Sequence, residues 1–246
     1  MNSGSLRVEE HADRMVVTID RPEKRNALDV DLVDAMHDVC GRLERDPKLL
    51  LLTGGADGIF AGGADIAQLR ERTKLDALRA INQSLFARIL RLPLPTLAAV
   101  DGPALGGGAE LSYACDLRIC TDRAFFGQPE VRLGILAGAG ATYRLPRLVG
   151  EGLAKELLFT GRRLSAAEAL TAGLVSRVVP PEDLLGTANG ILDEIAKASG
   201  LALRLTKLAV DAPEGAHPHV ELAAQAVLFE DAEKYDRMTA FLERKK

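Results

Sequence analysis

Residues 102–116 read Gly-Pro-Ala-Leu-Gly-Gly-Gly-Ala-Glu-Leu-Ser-Tyr-Ala-Cys-Asp, so that a glycine tract stands directly before a glutamate, Glu110. The tract follows an apolar run at residues 96–100, which predicts a buried strand, and it opens a predicted helix. A helix N-terminus leaves backbone N–H groups unpaired, and glycine lets a ligand approach them closely. The tract therefore predicts either an oxyanion or phosphate site or a tight strand-to-helix turn. It matches neither a P-loop nor the GxGxxG fingerprint.

A second glycine-rich loop, Phe60-Ala-Gly-Gly-Ala64-Asp65, also ends at a predicted helix start. If the fold brought the two loops together, one N–H from each could face the same oxygen, which is the geometry of an oxyanion hole.

A second glutamate, Glu130, closes the block Phe125-Phe-Gly-Gln-Pro-Glu130. Each glutamate also has a simpler explanation, because a first helical turn favours Glu110 and an exposed loop would accommodate Glu130. If the two met across a cleft, burial and like-charge repulsion would raise one pKa. The pair could then act as an acid and a base.

Working outward, the rest of the chain up to about residue 180 alternates strands and helices in short units, often two strands before one helix. This predicts an α/β fold of repeating ββα units. The predicted elements are a hairpin of residues 6–9 and 15–19, a helix at 29–44 and a buried strand at 48–53. They continue with a helical stretch that Asp65 caps and that runs to about Arg91, strands at 96–100, 116–121 and 124–126, and a last strand at 175–179.

From Gly150 onward the pattern becomes mostly helical. Ser165-Ala-Ala-Glu168 is a capping box, and three or four helices follow Pro180-Pro181, separated by Pro213 and Pro218. We predict a boundary near residue 190, with a core at residues 1–190 and a helical oligomerisation region at residues 191–246. The apolar faces of the last helices favour an oligomer.

Composition excludes several classes of protein. The chain has 246 residues, 47% hydrophobic and 27% charged, with a net charge of −4, which argues against a general nucleic-acid binder. The N-terminus lacks the apolar stretch of a signal peptide, and no uncharged apolar run is long enough to span a bilayer. We expect no membrane partner.

The cysteines and histidines indicate neither a disulfide framework nor a metal site. The three cysteines lie in apolar surroundings and are interpreted as buried free thiols in a reducing compartment, which predicts a cytoplasmic location: Cys40, Cys115 and Cys120. His217-Pro-His219 has no metal-ligand spacing with other candidates.

With these features in place, the chain resembles the crotonase (enoyl-CoA hydratase/isomerase) superfamily over nearly its whole length. The resemblance is carried by Arg21-Pro-Glu-Lys-Arg-Asn-Ala-Leu28, Phe60-Ala-Gly-Gly-Ala-Asp-Ile66, the run at residues 99–111, Phe126-Gly-Gln-Pro-Glu-Val-Arg-Leu-Gly-Ile135 and Arg144-Leu-Pro-Arg-Leu-Val-Gly150. It implies a crotonase-like spiral of ββα units with a C-terminal helical trimerisation region, assembled as a trimer or hexamer.

The resemblance also implies roles for individual residues. The oxyanion donors would be Ala64 and Gly107, and both hydratase glutamates are retained as Glu110 and Glu130. The residues implied in substrate binding are Lys24, Arg25, Ala27, Asp65, Ile66, Gly138, Phe241 and Arg244. Of these, Phe241 and Arg244 match positions that reach the coenzyme A of a neighbouring subunit. The substrate is an acyl-CoA thioester, so neither a separate cofactor nor a metal is expected.

One loop departs from the usual hydratase pattern. It has alanine at positions 137 and 141, followed by Tyr143 after Thr142, and we expect these alanines to be tolerated only at negative φ. The favoured reaction is reversible hydration of a trans-2-enoyl-CoA. The alternatives are enoyl-CoA isomerisation, another acyl-CoA reaction of the superfamily, and a non-catalytic RNA-binding role that the net charge disfavours.

Overall fold

A computed structural model describes residues 2–3, 6–55 and 58–243, and within these ranges the chain forms ten β-strands and twelve α-helices. The strands are β1 (Asn2–Ser3), β2 (Leu6–Glu10), β3 (Arg14–Ile19), β4 (Leu49–Gly54), β5 (Thr96–Val100), β6 (Pro103–Leu105), β7 (Leu117–Thr121), β8 (Phe125–Gly127), β9 (Arg163–Ser165) and β10 (Val178–Val179). The helices are α1 (Val30–Arg45), α2 (Ile66–Glu71), α3 (Lys74–Leu78), α4 (Ile81–Leu90), α5 (Gly107–Tyr113), α6 (Ala141–Val149), α7 (Glu151–Thr160), α8 (Ala166–Thr171), α9 (Leu184–Ala196), α10 (Gly200–Val210), α11 (His219–Phe229) and α12 (Ala232–Glu243).

The main sheet has seven strands in the order β1-β2-β3-β4-β5-β7-β10. The predicted hairpin is confirmed as the antiparallel pair β2 and β3, and the later strands join in parallel. Side chains of β4 alternate between two hydrophobic clusters: Leu50 and Leu52 enter the larger one, while Leu49 and Leu51 pack with residues of α9. The prediction that this strand is buried on both faces is therefore confirmed.

Helix α1 forms where the apolar spacing predicts it. Asp29 caps its N-terminus by accepting a hydrogen bond from Leu32 N at 3.1 Å. The buried side chains are the six that recur at helical spacing: Leu32, Val33, Met36, Val39, Cys40 and Leu43.

The helical stretch predicted from Asp65 to about Arg91 is divided into the three separate helices α2, α3 and α4. Asp65 does cap α2, as predicted. However, Thr73 forms a capping box with Asp76, which starts a new helix. Ala80 has φ of +53°, which interrupts the helical conformation again before α4.

A smaller sheet, in the order β6-β8-β9, lies beside the site described below. Its strands have three residues each, and two of them, β6 and β9, are too short for the alternation pattern to predict. The element orders β2-β3-α1, β5-β6-α5 and β7-β8-α6 show the predicted unit of two strands followed by one helix.

The C-terminal part contains four helices, as predicted. Helix α9 packs against the main sheet through Leu184, Ala188 and Leu192, and the predicted boundary near residue 190 falls inside this helix. The division of the chain into two regions stays a prediction. Pro213 and Pro218 both lie between α10 and α11, and the last predicted strand is only the two-residue β10. Within the described ranges, none of the helices has the length and apolar character needed to cross a membrane.

Candidate active site

The glycine tract forms the turn between β6 and α5. Gly106 is the N-cap of α5 with φ of +51°, and its N–H donates to Gly127 O of β8 at 2.8 Å. The first intrahelical bond runs from Glu110 N to Gly106 O at 3.0 Å, which leaves the N–H of Gly107 at the open end of the helix. The predicted tight strand-to-helix turn is confirmed. The same backbone conformation leaves the Gly107 N–H at the open end of the helix, and its role as an oxyanion donor stays a prediction.

The second glycine-rich loop reaches the same place. Leu105 N donates to Ala61 O at 3.2 Å, and Ala61 N donates to Pro103 O at 3.3 Å, so the loop lies along β6. A Cβ built on Gly63 would lie 3.5 Å from Gly107 N, and a Cβ built on Gly107 would lie 3.7 Å from Ala64 N. The N–H groups of Ala64 and Gly107 therefore border one small space, as an oxyanion hole requires.

The basic loop at residues 21–27 is attached to this second loop. Gly62 N donates to Arg25 O at 3.0 Å, and Leu28 N donates to Gly63 O at 2.7 Å. Lys24 is half exposed, with its Nζ 3.7 Å from Asp29 Oδ2. The structure thus brings Lys24 and Arg25 beside the predicted oxyanion donors, where exposed cations could contact a phosphorylated ligand.

The sequence analysis missed Asn26, which holds the basic loop in place. Its side chain is buried, accepts a hydrogen bond from Arg21 N at 2.7 Å and donates to Ile59 O at 2.7 Å. Its φ is +54°, a conformation that asparagine tolerates better than most residues. An asparagine that follows a proline-containing turn is the signal that could have identified it.

Glu110 lies one helical turn beyond Gly107 and is only 3% exposed. Its Oε1 accepts hydrogen bonds from Ala139 N at 2.8 Å and Ala141 N at 3.0 Å. Burial raises the pKa of Glu110, while the hydrogen bonds from Ala141 and Ala139 and the positive charge of Arg144 oppose that rise.

Arg144 is a second residue that the sequence analysis missed. It is 5% exposed, and its Nη1 donates to Ala139 O at 3.1 Å. Its Nε and Nη2 have no hydrogen-bond partner in the described part of the chain, and the guanidinium carbon lies 4.9 Å from the centre of the Tyr143 ring. A Cβ on Gly140 would overlap the guanidinium. Arg144 thus supports the peptide that holds the Glu110 carboxylate. The residues around Arg144 in the sequence did not predict that it is buried in the first turns of α6.

Glu130 begins a 3₁₀ turn at Glu130–Leu133, and its carboxylate lies over the glycine tract, 2.8 Å from a Cβ built on Gly106. Burial raises the pKa of Glu130 to about 7, and the charge of Glu110 adds to the rise. With its amide turned toward the carboxylate, the buried Gln128 donates to both Glu130 oxygens at 3.1 Å, which opposes the rise. The structure therefore brings the two predicted glutamates together.

The loop with the unusual alanines meets the condition stated for it, because positive φ among non-glycine residues is confined to Arg25, Asn26 and Ala80 in the described chain. Gly138 is exposed, and a Cβ built on it would lie 3.7 Å from Leu136 Cδ1. The N–H groups that bind Glu110 come from Ala139 and Ala141, just beyond Gly138, and the role of Gly138 in substrate binding stays a prediction.

The other predicted binding residues are placed as follows. Ala27 lies in the basic loop, where its carbonyl accepts from Arg21 Nη1 at 3.3 Å. Asp65 accepts from Gln68 N as the cap of α2, and Ile66 is exposed on the same helix. Phe241 is exposed on α12, and its reach to a neighbouring subunit stays a prediction. Arg244 lies outside the described residues.

The cysteines and potential metal ligands add nothing to this site. The three cysteines are buried and free, as predicted, and burial raises the pKa of each thiol to about 12: Cys40, Cys115 and Cys120. Over the described ranges, no three His, Cys, Asp or Glu side chains are grouped so that they could hold a metal ion.

Comparison with known proteins agrees with this geometry. Residues 9–246 match the family described as Enoyl-CoA hydratase/isomerase. The chain is 39% identical to the short-chain-enoyl-CoA hydratase of Clostridium acetobutylicum, over all of this chain and 97% of the relative. It is 42% identical to the crotonyl-CoA hydratase of Syntrophomonas wolfei, over 94% of this chain and 92% of the relative.

The fold agrees as well. The crystal structure of an enoyl-CoA hydratase from Bacillus anthracis superposes with a TM-score of 0.92 and 32% identity, covering 98% of this chain and 96% of that one. The crotonase fold expected from the sequence is thereby confirmed. The chain belongs to the enoyl-CoA hydratase/isomerase family.

Proposed function

We propose that this protein is an enoyl-CoA hydratase, a lyase that adds water reversibly to a trans-2-enoyl-CoA and gives a 3-hydroxyacyl-CoA. The observation that carries the proposal is the convergence of four groups at the start of α5: the N–H groups of Ala64 and Gly107 and the carboxylates of Glu110 and Glu130. The names of the curated relatives support the same reaction.

Substrate binding would begin at the basic loop. Lys24 and Arg25 lie beside the loop that carries Ala64, so the coenzyme A phosphates can contact the cations while the thioester reaches the glycine tract. Coenzyme A is part of the substrate, and the reaction needs no separate cofactor or metal, because the charge that develops is an enolate oxygen stabilised by N–H donors.

The thioester oxygen would sit between the N–H groups of Ala64 and Gly107. As the water oxygen bonds to C3, Glu110 accepts a proton from the water, and the thioester oxygen gains negative charge. Glu130, or water held between the two carboxylates, delivers the proton to C2. Burial raises the pKa of both carboxyl groups, and the pKa of Glu130, about 7, keeps a substantial fraction of it protonated near neutral pH. At Glu110 the hydrogen bonds from Ala141 and Ala139 oppose the rise, which favours Glu110 as the base.

The competing reaction is isomerisation, which moves a double bond with one carboxylate and no water. The position of Glu130 over Gly106, together with Glu110, favours hydration, because two carboxylates can hold and deprotonate a water molecule. RNA binding has no comparable support, since the net charge is −4.

We propose that the protein assembles as a homotrimer or as a hexamer built from two trimers. Helices α10, α11 and α12 have no buried residue in the single chain, and they expose large apolar side chains such as Leu208, Leu222, Val227, Phe229 and Met238. Such a surface favours association. Light scattering coupled to gel filtration measures the subunit number, and a monomer at micromolar concentration would contradict the proposal. A cytoplasmic location is likewise proposed, from the three free, buried thiols.

The experiment is turnover of a panel of trans-2-enoyl-CoAs, short, long and aryl, followed by the loss of the conjugated absorbance and by identification of the product. We expect 3-hydroxyacyl-CoA from at least one member. A parallel assay with 3-enoyl-CoAs detects bond migration. Migration without hydration of any panel member would replace this proposal with isomerisation.

A further inference from the structure

Asn82 is a polar side chain that the mechanism described above leaves unused. It lies in the first turn of α4 and is only 9% exposed. Its Oδ1 is buried and has no hydrogen-bond partner among the residues that the structure describes. A buried amide oxygen without a hydrogen-bond partner destabilises a fold, whereas leucine has a similar branched shape and no polar atom. Packing alone therefore does not explain asparagine here.

The Asn82 amide faces the oxyanion donors. A Cβ built on Gly107 would lie 3.4 Å from Asn82 Nδ2, 3.6 Å from Leu28 Cδ1 and 3.7 Å from Ala64 N. These three atoms line a small space beside the Gly107 backbone, and the Gly107 N–H group borders the same space. An oxygen atom held between the N–H groups of Ala64 and Gly107 would therefore have the Asn82 amide nitrogen as a close neighbour.

Asn82 lies at the thioester end of the site rather than at the water end. The Glu130 carboxylate lies over Gly106, where a built Cβ would be 2.8 Å from its Oε1. Glu110 points to the peptides of Ala139 and Ala141. On the side of Gly107 that faces Asn82, the neighbouring atoms are instead Ala64 N and an apolar methyl carbon, Leu28 Cδ1. The reacting group closest to Asn82 is thus the thioester oxygen.

We infer that Asn82 is a further catalytic residue, whose Nδ2 donates a third hydrogen bond to the thioester oxygen of the bound acyl-CoA as negative charge develops there. This inference rests on the function proposed above. A donor fixed on a helix before the substrate binds needs no reorganisation during the reaction, so its bond strengthens in the transition state more than in the ground state. The thioester oxygen would accept from Nδ2, whereas Oδ1, which is itself an acceptor, would gain no partner from that oxygen.

The test uses Asn82→Leu and Asn82→Ala in the full-length protein, with Gln83→Ala as the matched control. Gln83 is the next residue of α4 and is exposed. We expect both Asn82 variants to lose about 10- to 100-fold in kcat, less than the 100- to 1,000-fold typical of an oxyanion donor because two backbone donors remain. KM should change little, and the unfolding temperature should be unchanged or higher, since an unpartnered polar group has been removed. Gln83→Ala should match the wild type.

A spectroscopic measurement separates this role from a purely structural one. The carbonyl stretch of butyryl-CoA, a saturated thioester that cannot be hydrated, reports polarisation of the oxygen in the bound state. Isotope-edited infrared difference spectra should show the stretch at higher frequency in Asn82→Ala than in the wild type, because one donor is missing. This measurement remains informative if a variant is less stable, provided that it binds the thioester.

The outcomes are distinct. Wild-type kcat in Asn82→Leu, or an unshifted carbonyl stretch in Asn82→Ala, overturns the role of Asn82 while hydration by the wild type leaves the proposed function intact. If the wild type hydrates no enoyl-CoA, the proposed function fails, and the infrared comparison with butyryl-CoA still decides whether Asn82 contacts the thioester oxygen.

Discussion

The surroundings of Glu110 and Glu130 differ although both carboxylates belong to one site. Glu110 is on a helix, 3% exposed, with one oxygen bound by two backbone N–H groups and a buried arginine behind that loop. Glu130 is on a 3₁₀ turn whose neighbours Val131, Leu133 and Ile135 expose apolar side chains. Burial raises the pKa of both carboxyl groups. At Glu110 the hydrogen bonds from Ala141 and Ala139 and the charge of Arg144 oppose the rise, whereas at Glu130 the charge of Glu110 adds to it and the pKa reaches about 7.

The difference assigns unequal tasks to two chemically identical side chains. A carboxylate held by backbone donors keeps its position, and those donors favour its ionised form against the effect of burial, which suits the base of the proposed mechanism. A carboxyl group with a pKa near neutrality can give up a proton at working pH, which suits an acid. The following measurements test this division, from the largest expected effect to the smallest.

Glu110→Gln should have the largest effect, a loss of about 1,000- to 10,000-fold in kcat for hydration, because the base is removed. Glu130→Gln should lose less, about 100- to 1,000-fold, because water held at Glu110 can still be deprotonated. Both variants should bind an acyl-CoA thioester as the wild type does, measured by calorimetry. Near wild-type turnover in either variant is incompatible with the two-glutamate mechanism, and equal losses would remove the distinction between them.

Gly107→Ala tests the proposed oxyanion donors independently of the two carboxylates. A methyl group at this position makes ordinary contacts of 3.4–3.7 Å, so the protein should fold, but the methyl occupies the space beside Ala64 N. We expect kcat to fall about 100- to 1,000-fold, with the residual activity keeping the wild-type pH dependence. Gly108→Ala is the contrasting variant, because its Cβ would overlap the Ala61 carbonyl oxygen and should prevent stable folding. A fully active Gly107→Ala enzyme would contradict the oxyanion assignment.

The stability of Glu130→Gln should depend on pH in a defined sense. The pKa of Glu130 in the fold, about 7, lies above the ordinary value of 4.5, so its stabilising contribution is complete below pH 4.5 and is lost as pH rises through about 7. At pH 8 the variant should exceed the wild type in unfolding free energy by about 3 kcal/mol at most, a bound that the hydrogen bonds from Gln128 reduce. Urea unfolding at pH 8 and pH 4.5 measures this, and a gain at pH 4.5 equal to that at pH 8 would argue against titration of Glu130.

The pH profile of kcat/KM reports the same pair in the free enzyme. We expect an acidic limb from protonation of Glu110 and an alkaline limb at or below about pH 7 from ionisation of Glu130. Because the two carboxyl groups interact, the apparent pKa values of the two limbs describe the pair and not either residue alone. Glu130→Gln should lack the alkaline limb. If that limb persists in this variant, another group supplies the proton.

Arg144→Met should have the smallest effect. Removing the guanidinium takes away a positive charge that holds down the pKa of Glu110, so the acidic limb should move to higher pH. The loss of activity should be about tenfold or less and confined to the acid side. Arg144→Lys keeps the charge and should keep the limb near its wild-type position. A uniform loss at all pH values in Arg144→Met would indicate displacement of the loop at residues 139–141 instead.

Much of the fold was predictable because the periodicity of apolar residues reports local structure directly. The hairpin, helix α1 and the buried strand β4 follow from alternation, helical spacing and a continuous apolar run. The helical character of residues 66–90 was predicted as well, but its division into three helices was not, because it depends on the capping box of Thr73 and the positive φ of Ala80. Strands β6 and β9 have three residues each, too few to show a period.

Prediction of the site was limited in the same way, because local sequence patterns report only on residues close in sequence. Glycine tracts at helix starts and two glutamates are visible in the sequence, and the family resemblance assigns them to one reaction. Asn26, Asn82 and Arg144 carry no such signal, because a buried polar side chain looks like an exposed one until its neighbours are known. The Asn26 side chain donates to a carbonyl 33 residues away in sequence, and Asn82 and Arg144 have buried polar atoms without a hydrogen-bond partner in the described chain.

The sequence by itself determined the chemistry available to this protein: glycines that leave N–H groups accessible before a helix, two glutamates, a basic loop, and apolar spacing that specifies most strands and helices. Only the tertiary structure decided that Ala64 and Gly107 border one space and that Glu110 and Glu130 receive different environments. The physical reason is that periodicity and capping act between residues close in sequence. Burial, hydrogen bonds between loops and the pKa of a carboxyl group depend instead on elements that meet only when the chain has folded.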